Sequence, residues 1–365
     1  MLVIDSHLDL SWNAIQWNRD LRLPVHRIRE MEVSVRGPGR GQGTVAFPDL
    51  RRGRVALCFA TLLARSTGQP EPHLDYLSAA QAFGAARGQL AYYQALVRQG
   101  HARLVTNCAE LEHHIAEWRA WESAPRQETP PLGFVISMES ADPILDASEL
   151  SDWKQAGVRV IGPAHYGPGR YAGGTGSEVG LTPEGESLLR EMARLGILLD
   201  VTHLSDRAFW EALNLYDGRV LASHNNCRAL VPHQRQLSDE QIQNLVSRRA
   251  VIGVALDAWM LNPAWVRGAD DNLPVYLADA ANHIDHICQL AGDSRHAALG
   301  SDLDGSFGRE QSPTDLDTIA DLQSISEILA GRGYSDDDIA AIMHGNWLRL
   351  LRESWQAHEG ADGAD

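Results

Sequence analysis

The sequence predicts an α/β protein folded as a (β/α)8 TIM-type barrel with long loops on its C-terminal face, and three observations carry that reading. Eight short apolar runs, at residues 2–6, 55–61, 133–138, 158–163, 197–202, 219–223, 251–256 and 297–301, have the character of parallel strands buried on both faces. Helical patterns alternate with them at about 77–99, 109–122, 147–156, 183–195, 206–215, 238–248 and 275–292, followed by 314–331 and 336–353, as in βαβ units. Six of the runs end in polar, ligand-type side chains: His7 with Asp9, Glu139, His165, His203, His224 and Asp302. A parallel barrel gathers its chemistry at that end of its strands.

Local signals support the individual elements. Thr182-Pro183 offers an N-cap followed by proline at the first helical position, and Ser238-Asp239-Glu240-Gln241 has the capping-box spacing. Gly157 and Gly196 fall between a helix and the next strand, where a left-handed residue is wanted. Two connections are long: an excursion over 13–54 after the first strand, and a glycine-rich loop over 166–180 after the fourth. Long loops on the catalytic face shape or cover a pocket. A chain of 365 residues can bury a large core, and the expectation is a single domain over 1–357 with a flexible polar tail at 358–365.

Composition narrows the function classes. Forty-eight acidic against 32 basic residues give a formal charge of −16 with no basic tract, which argues against nucleic acid or an anionic membrane as partner. Cys58, Cys108, Cys227 and Cys288 are widely spaced and form no C-x-x-C pair, so a reduced, cytoplasmic protein is expected. The opening Leu2-Val3-Ile4-Asp5 carries no basic leader region, and no apolar stretch is long enough for a bilayer. Barrels of this type often pair as homodimers, although no interface pattern is legible.

The candidate site starts from His7-x-Asp9. Residues two apart on a strand share a face, so imidazole and carboxylate would point the same way. His203 and His224 add imidazoles from adjacent strand ends, and Glu139 adds a carboxylate able to bridge two cations. This donor set suits Zn²⁺ or a similar divalent ion, and two such ions can clamp a hydroxide, giving a binuclear hydrolytic site. Each residue alone has a plainer reading: H-x-D recurs by chance, Glu139 could cap a helix, and His203 could belong to a helix-entry turn. Their shared position at one end of separate strands favours the joint reading. His113, His114, His283, His286, His233 and His344 lie in helical patterns or loops and stay in the background.

Taken in order, these segments resemble the membrane (renal) dipeptidase family of binuclear zinc peptidases, within the amidohydrolase-type barrels. Asp5-Ser6-His7-Leu8-Asp9-Leu10-Ser11-Trp12 is similar to the family's D-G-H-N-D-x-x-W opening. The stretches Gly180-Leu181-Thr182-Pro183 and Leu195-Gly196 through Asp200-Val201-Thr202-His203-Leu204-Ser205-Asp206 resemble its central segment. Ser223-His224-Asn225 with Arg235, Gly300-Ser301-Asp302-Leu303-Asp304-Gly305, and Gly345-Asn346-Trp347-Leu348-Arg349 complete the likeness.

The resemblance implies that Glu139 and a hydroxide bridge two zinc ions, one held by His7 and Asp9 and the other by His203 and His224. It further implies that His165 faces the scissile carbonyl, that Arg235 grips the substrate carboxylate, and that Asp302 moves the proton. The expected activity is hydrolysis of small dipeptides with a free C-terminal carboxylate, L-Xaa-D-Xaa among them. The rivals are an amidohydrolase acting on another amide or a lactone, and an inactive metal-stabilised binding protein. Ser6, Tyr166 and Ser140-Ala141-Asp142 depart from the family pattern and would reshape the pocket wall, with Tyr166 facing the substrate.

Overall fold

Alternation along short strands builds the barrel. In the computed structural model, which describes residues 1–69, 74–124, 128–269 and 271–362, the strands are β1 (Val3–Leu8), β2 (Val55–Leu63), β3 (Ala102–Leu104), β4 (Leu132–Glu139), β5 (Val158–Gly162), β6 (Leu198–Asp200), β7 (Val220–Leu221), β8 (Ile252–Val254) and β9 (Ala297–Leu299). They pair in parallel in the order β7-β6-β5-β4-β2-β1-β9-β8, with β3 beside β4. A single bridge between Ala222 and Ile252 joins the two ends, with Ala222 N–H donating to Val251 O and Gly253 N–H to Ala222 O. All eight expected strands are therefore present, and β3 is an addition.

Successive residues of one strand go to different cores, as the two-residue period requires. Ile4, Leu57, Phe59, Val135, Val160, Leu198, Leu221 and Ala298 pack together with Trp347, Leu350, Leu351 and Trp355 of the last helix. Their neighbours Val3, Cys58, Ala60, Phe134, Ile136, Ile161 and Leu199 join the larger core under the surrounding helices. Trp347 Nε1–H donates to Leu299 O, and Asn346 Nδ2 donates to Ser294 O and Ala297 O. The Asn346-Trp347 motif thus holds the last helix against β9 and plays a structural part.

The helix ends obey the expected capping chemistry. Thr182 Oγ1 accepts from Gly185 N–H, Ser238 and Gln241 form the capping box, and Gly157 and Gly196 adopt φ of 111° and 65°. Differences from the expectation lie in the loops. The 13–54 excursion contains the helices Val25–Met31 and Phe47–Arg52, and Leu10–Gln16 coils immediately after β1. The final helix, Asn346–Asp362, runs well into the stretch expected as a flexible tail, and it follows a π-helical turn over Ala341–Gly345. Among the described residues, no helix is long and apolar enough to cross a membrane.

Candidate metal centre and active site

The site sits where the strands end. His7 is in β1, Glu139 closes β4, and His165, His203, His224 and Asp302 follow β5, β6, β7 and β9 within a few residues. Asp9 has left the strand, with φ −79° and ψ 47°, and it precedes the helix Leu10–Gln16 without making a side-chain cap. A register irregularity between Asp5 and Leu8, and not a regular pleat, brings the His7 and Asp9 side chains together. Asp5 secures that irregularity by accepting from the N–H groups of His7 (3.1 Å) and Ser301 (2.9 Å). Asp200 does the same between β6 and β7, accepting from Thr202 N–H and Ser223 N–H at 3.0 Å each.

All of the expected ligand-type residues converge on Glu139. One carboxylate oxygen, Oε1, lies 3.1 Å from His203 Nε2 and 3.3 Å from His224 Nε2, while Oε2 lies 3.6 Å from His7 Nε2. His7 Nε2 is also 3.8 Å from both Asp9 Oδ1 and Asp302 Oδ1. Among the described residues, three sets of side chains could each hold an ion: His7, Asp9 and Glu139; Glu139, His203 and His224; and His7, His224 and Asp302. Glu139 belongs to the first two, as a bridging carboxylate would.

Hydrogen bonds behind the imidazoles decide whether this set suits a cation. His203 Nδ1 meets Thr175 Oγ1 at 3.0 Å, and His224 Nδ1 meets Ser223 Oγ at 2.9 Å. Those hydroxyls direct their protons to His203 O and Thr202 Oγ1, so their oxygens accept from Nδ1–H and both Nε2 atoms are left bare. The two bare nitrogens lie 3.1 Å apart beside a carboxylate. His7 Nε2 and Asp9 Oδ1 are likewise buried without a hydrogen-bond partner. Lone pairs this crowded require positive charge between them, and the donor set fits divalent ions.

Titration behaviour follows from the same crowding. Burial, with Arg235 and the neighbouring imidazoles adding to it, holds His203 and His224 well below the usual imidazole range. Burial pushes the Glu139 and Asp302 carboxyls up. Burial works to lower His7, but the Glu139 and Asp9 carboxylates outweigh it and raise the group. His203 and Asp302 also adopt left-handed backbone conformations, with φ of 69° and 57°, a strain concentrated at functional positions.

The metal-ligand set opens into a cavity of about 290 Å³, at the small end for ligand sites. Arg235 lines it, as expected: its Nη2 donates to His224 O at 2.8 Å, and its buried Nη1 has no protein partner. Tyr166 also lines it, stacked edge-on against His165 with ring centroids 4.9 Å apart. The other departures from the family pattern are accommodated locally. Ser6 Oγ donates to Ser223 O and Leu299 O, in space left by the absent side chains of Gly253 and Gly300. Asp142 accepts from Ser66 N–H and Arg170 N–H, tying two loops together.

Sequence reading missed Arg65, Asp257, Met260, Arg267, Leu63, Leu74 and Ser306 in the cavity wall, and Thr175 behind His203. Asp257 had a signal, because it directly follows the apolar run 251–256. Gln311, Trp259 and Arg267 donate to its carboxylate, and burial raises its pKa to about 6.

Comparison with known proteins agrees with the geometry. The Aspergillus oryzae protein named dipeptidase aclJ is 28% identical over 317 residues, covering 85% of this chain and 69% of that protein. The fold matches the crystal structure of the dipeptidase AC, a metallo peptidase of family M19, with a TM-score of 0.78, 24% identity and coverage of 97% of this chain and 99% of that one. It also matches a metallo peptidase from Rhodobacter sphaeroides liganded with a phosphinate mimic of the dipeptide L-Ala-D-Ala, with a TM-score of 0.74, 22% identity and coverage of 97% and 99%. Residues 1–363 match the family model for membrane dipeptidase, and the chain belongs to that family, peptidase family M19, as a metal-dependent dipeptidase that hydrolyses peptide bonds.

Proposed function

We propose that the enzyme is a zinc-dependent dipeptidase acting on small dipeptides with a free C-terminal carboxylate, L-Xaa-D-Xaa dipeptides among them. The observation that carries this is Glu139, poised between the His7/Asp9 pair and the His203/His224 pair. Those five residues would hold two Zn²⁺ ions, a donor set of imidazole and carboxylate that suits this metal. When bound, the ions lower the pKa of water towards neutrality and polarise the scissile carbonyl.

The chain's own residues supply the rest. Arg235 Nη1, buried and without a protein partner, offers a planar donor to the substrate carboxylate, which favours dipeptides over longer chains. The small cavity agrees with that choice. Asp302, made more basic by burial, takes a proton from the attacking water and returns it to the leaving amine. His165 donates from Nε2 to the carbonyl oxygen as negative charge develops there. The L-Ala-D-Ala mimic bound by the Rhodobacter sphaeroides structure supports a D-residue at the C-terminal position. We also propose a cytoplasmic location, supported by the free thiols of Cys58, Cys227 and Cys288.

Metal analysis paired with turnover of L-Xaa-D-Xaa and L-Xaa-L-Xaa libraries tests the proposal. About two zinc ions per chain and hydrolysis abolished by chelation are expected. A metal-free sample that still cleaves dipeptides would overturn it.

A further inference from the structure

Arg65 follows β2 and reaches the site from the side, on a residue the ligand set does not use. Its guanidinium is fixed at one end by Asp75, whose Oδ2 accepts from Arg65 Nε at 2.9 Å. Asp75 is itself held by Thr67, through N–H at 2.8 Å and Oγ1–H at 2.6 Å. The other end of Arg65 places Nη1 at 3.0 Å from His165 Nδ1. A guanidinium only donates and does not lose its proton in proteins, so Nδ1 must be the acceptor. A neutral imidazole whose Nδ1 accepts carries its hydrogen on Nε2.

We infer that Arg65 is a positioning residue that keeps His165 in the neutral Nε2–H tautomer, as a hydrogen-bond donor to the scissile carbonyl and not as a metal ligand. The assignment rests on the proposed function for what His165 faces, but the tautomer itself follows from Arg65. It resolves an ambiguity in the geometry, because His165 Nε2 lies 3.7 Å from Glu139 Oε1, close to the distance at which His7 Nε2 meets the same carboxylate. His203 and His224 differ from it in the partner behind the ring. Theirs are hydroxyl oxygens that accept from Nδ1–H and leave Nε2 bare, whereas His165 has a donor behind it and therefore a proton in front. His165 belongs to none of the three ion-holding sets among the described residues. The rings of Tyr166 and His203, at 4.9 and 4.4 Å between centroids, fix its orientation.

Two measurements on the zinc-loaded full chain test this. In ¹⁵N-histidine-labelled protein, two-bond ¹H–¹⁵N correlation, assigned with His165→Gln, should show His165 protonated at Nε2 and bare at Nδ1. Protonation at Nδ1 would overturn the inference whether or not any dipeptide is cleaved, whereas absent dipeptide turnover with the Nε2–H signal intact would count against the functional reading alone.

The second measurement is a kinetic cycle. Arg65→Met should lower kcat by about 10- to 100-fold with little change in KM, as losses behind a working imidazole do. Arg65→Lys, which still donates, should restore part of it. In a His165→Gln background, where the amide donates regardless of tautomer, Arg65→Met should cost little more. A rise in KM at constant kcat would instead make Arg65 a substrate clamp. An equal penalty in both backgrounds, or zinc lost from Arg65→Met, would make its role merely structural. Any of these results overturns the assignment.

Discussion

Gly305 leaves the space that the Asp302 carboxylate occupies: a Cβ built on residue 305 would lie 2.1 Å from Asp302 Oδ1. The turn between them is closed by Gly305 N–H donating to Asp302 O at 2.9 Å. Gly305→Ala should therefore push the carboxylate from its place and lower kcat nearly as far as Asp302→Asn, which should cost about 10²- to 10⁴-fold. Both variants should keep their zinc, so steady-state kinetics with metal analysis checks the pair. Wild-type kcat in Gly305→Ala would show that Asp302 works from another position.

Glu139 is the one side chain common to both ion pockets. Glu139→Gln keeps the shape and removes the charge, leaving bare imidazole nitrogens facing an amide that cannot neutralise two cations. Zinc content measured after dialysis should fall by at least one ion per chain, and the melting temperature should drop towards that of the chelated wild type. Full zinc content in the variant would refute the bridging role.

Arg235→Ala should raise KM for dipeptides by about 10- to 100-fold, the range for losing a hydrogen bond to a charged group. A substrate lacking the carboxylate, such as a neutral amide or a lactone, should be turned over almost unchanged. Equal losses on both would remove carboxylate recognition from Arg235. The same assay separates a dipeptidase from an amidohydrolase of neutral substrates.

Acid should destabilise the fold through His114 and His283. Both are buried, and burial lowers each to about 4 from an ordinary 6.5. His114 Nε2–H donates to Ala56 O, and His283 Nδ1 accepts from Cys227 N–H. Because the folded-state pKa lies below the unfolded one, their contribution is complete above about pH 6.5 and is lost as pH falls towards 4. Each amounts to about 3 kcal/mol in full. Urea midpoints of zinc-free protein between pH 7 and 4.5 should fall, and less steeply in His283→Gln. An identical slope in that variant would clear His283.

The barrel was legible because its signals are local. Strand runs, Thr182, the Ser238 box and Gly196 all announce themselves within a few residues, and the ligand-type side chains stand at strand ends where a parallel barrel must put them. What was hidden depends on meetings between distant segments. Arg65 and Thr175 act on His165 and His203 through contacts that no spacing encodes. The helices Leu10–Gln16 and Val25–Met31 lack side-chain caps, so the excursion reads as loop. Asp304 is a related case: its motif suggests chemistry, yet its carboxylate accepts from Thr44 N–H, Thr44 Oγ1–H, Val45 N–H and Arg19 Nη1, fastening that excursion to the barrel rim.

The seam at Ala222 and Ile252 gives the metal-ligand set a second meaning. His224 stands two residues past that bridge on the β7 side, while His7 and Asp9 sit in and just after β1, beyond β8 and β9 on the other side of it. Ions held between the two sides would rivet the seam shut. Assembly of the cylinder and loading of its cargo then become one event, and stripping the ions should let this stave spring first, seen as early amide exchange around 220–226.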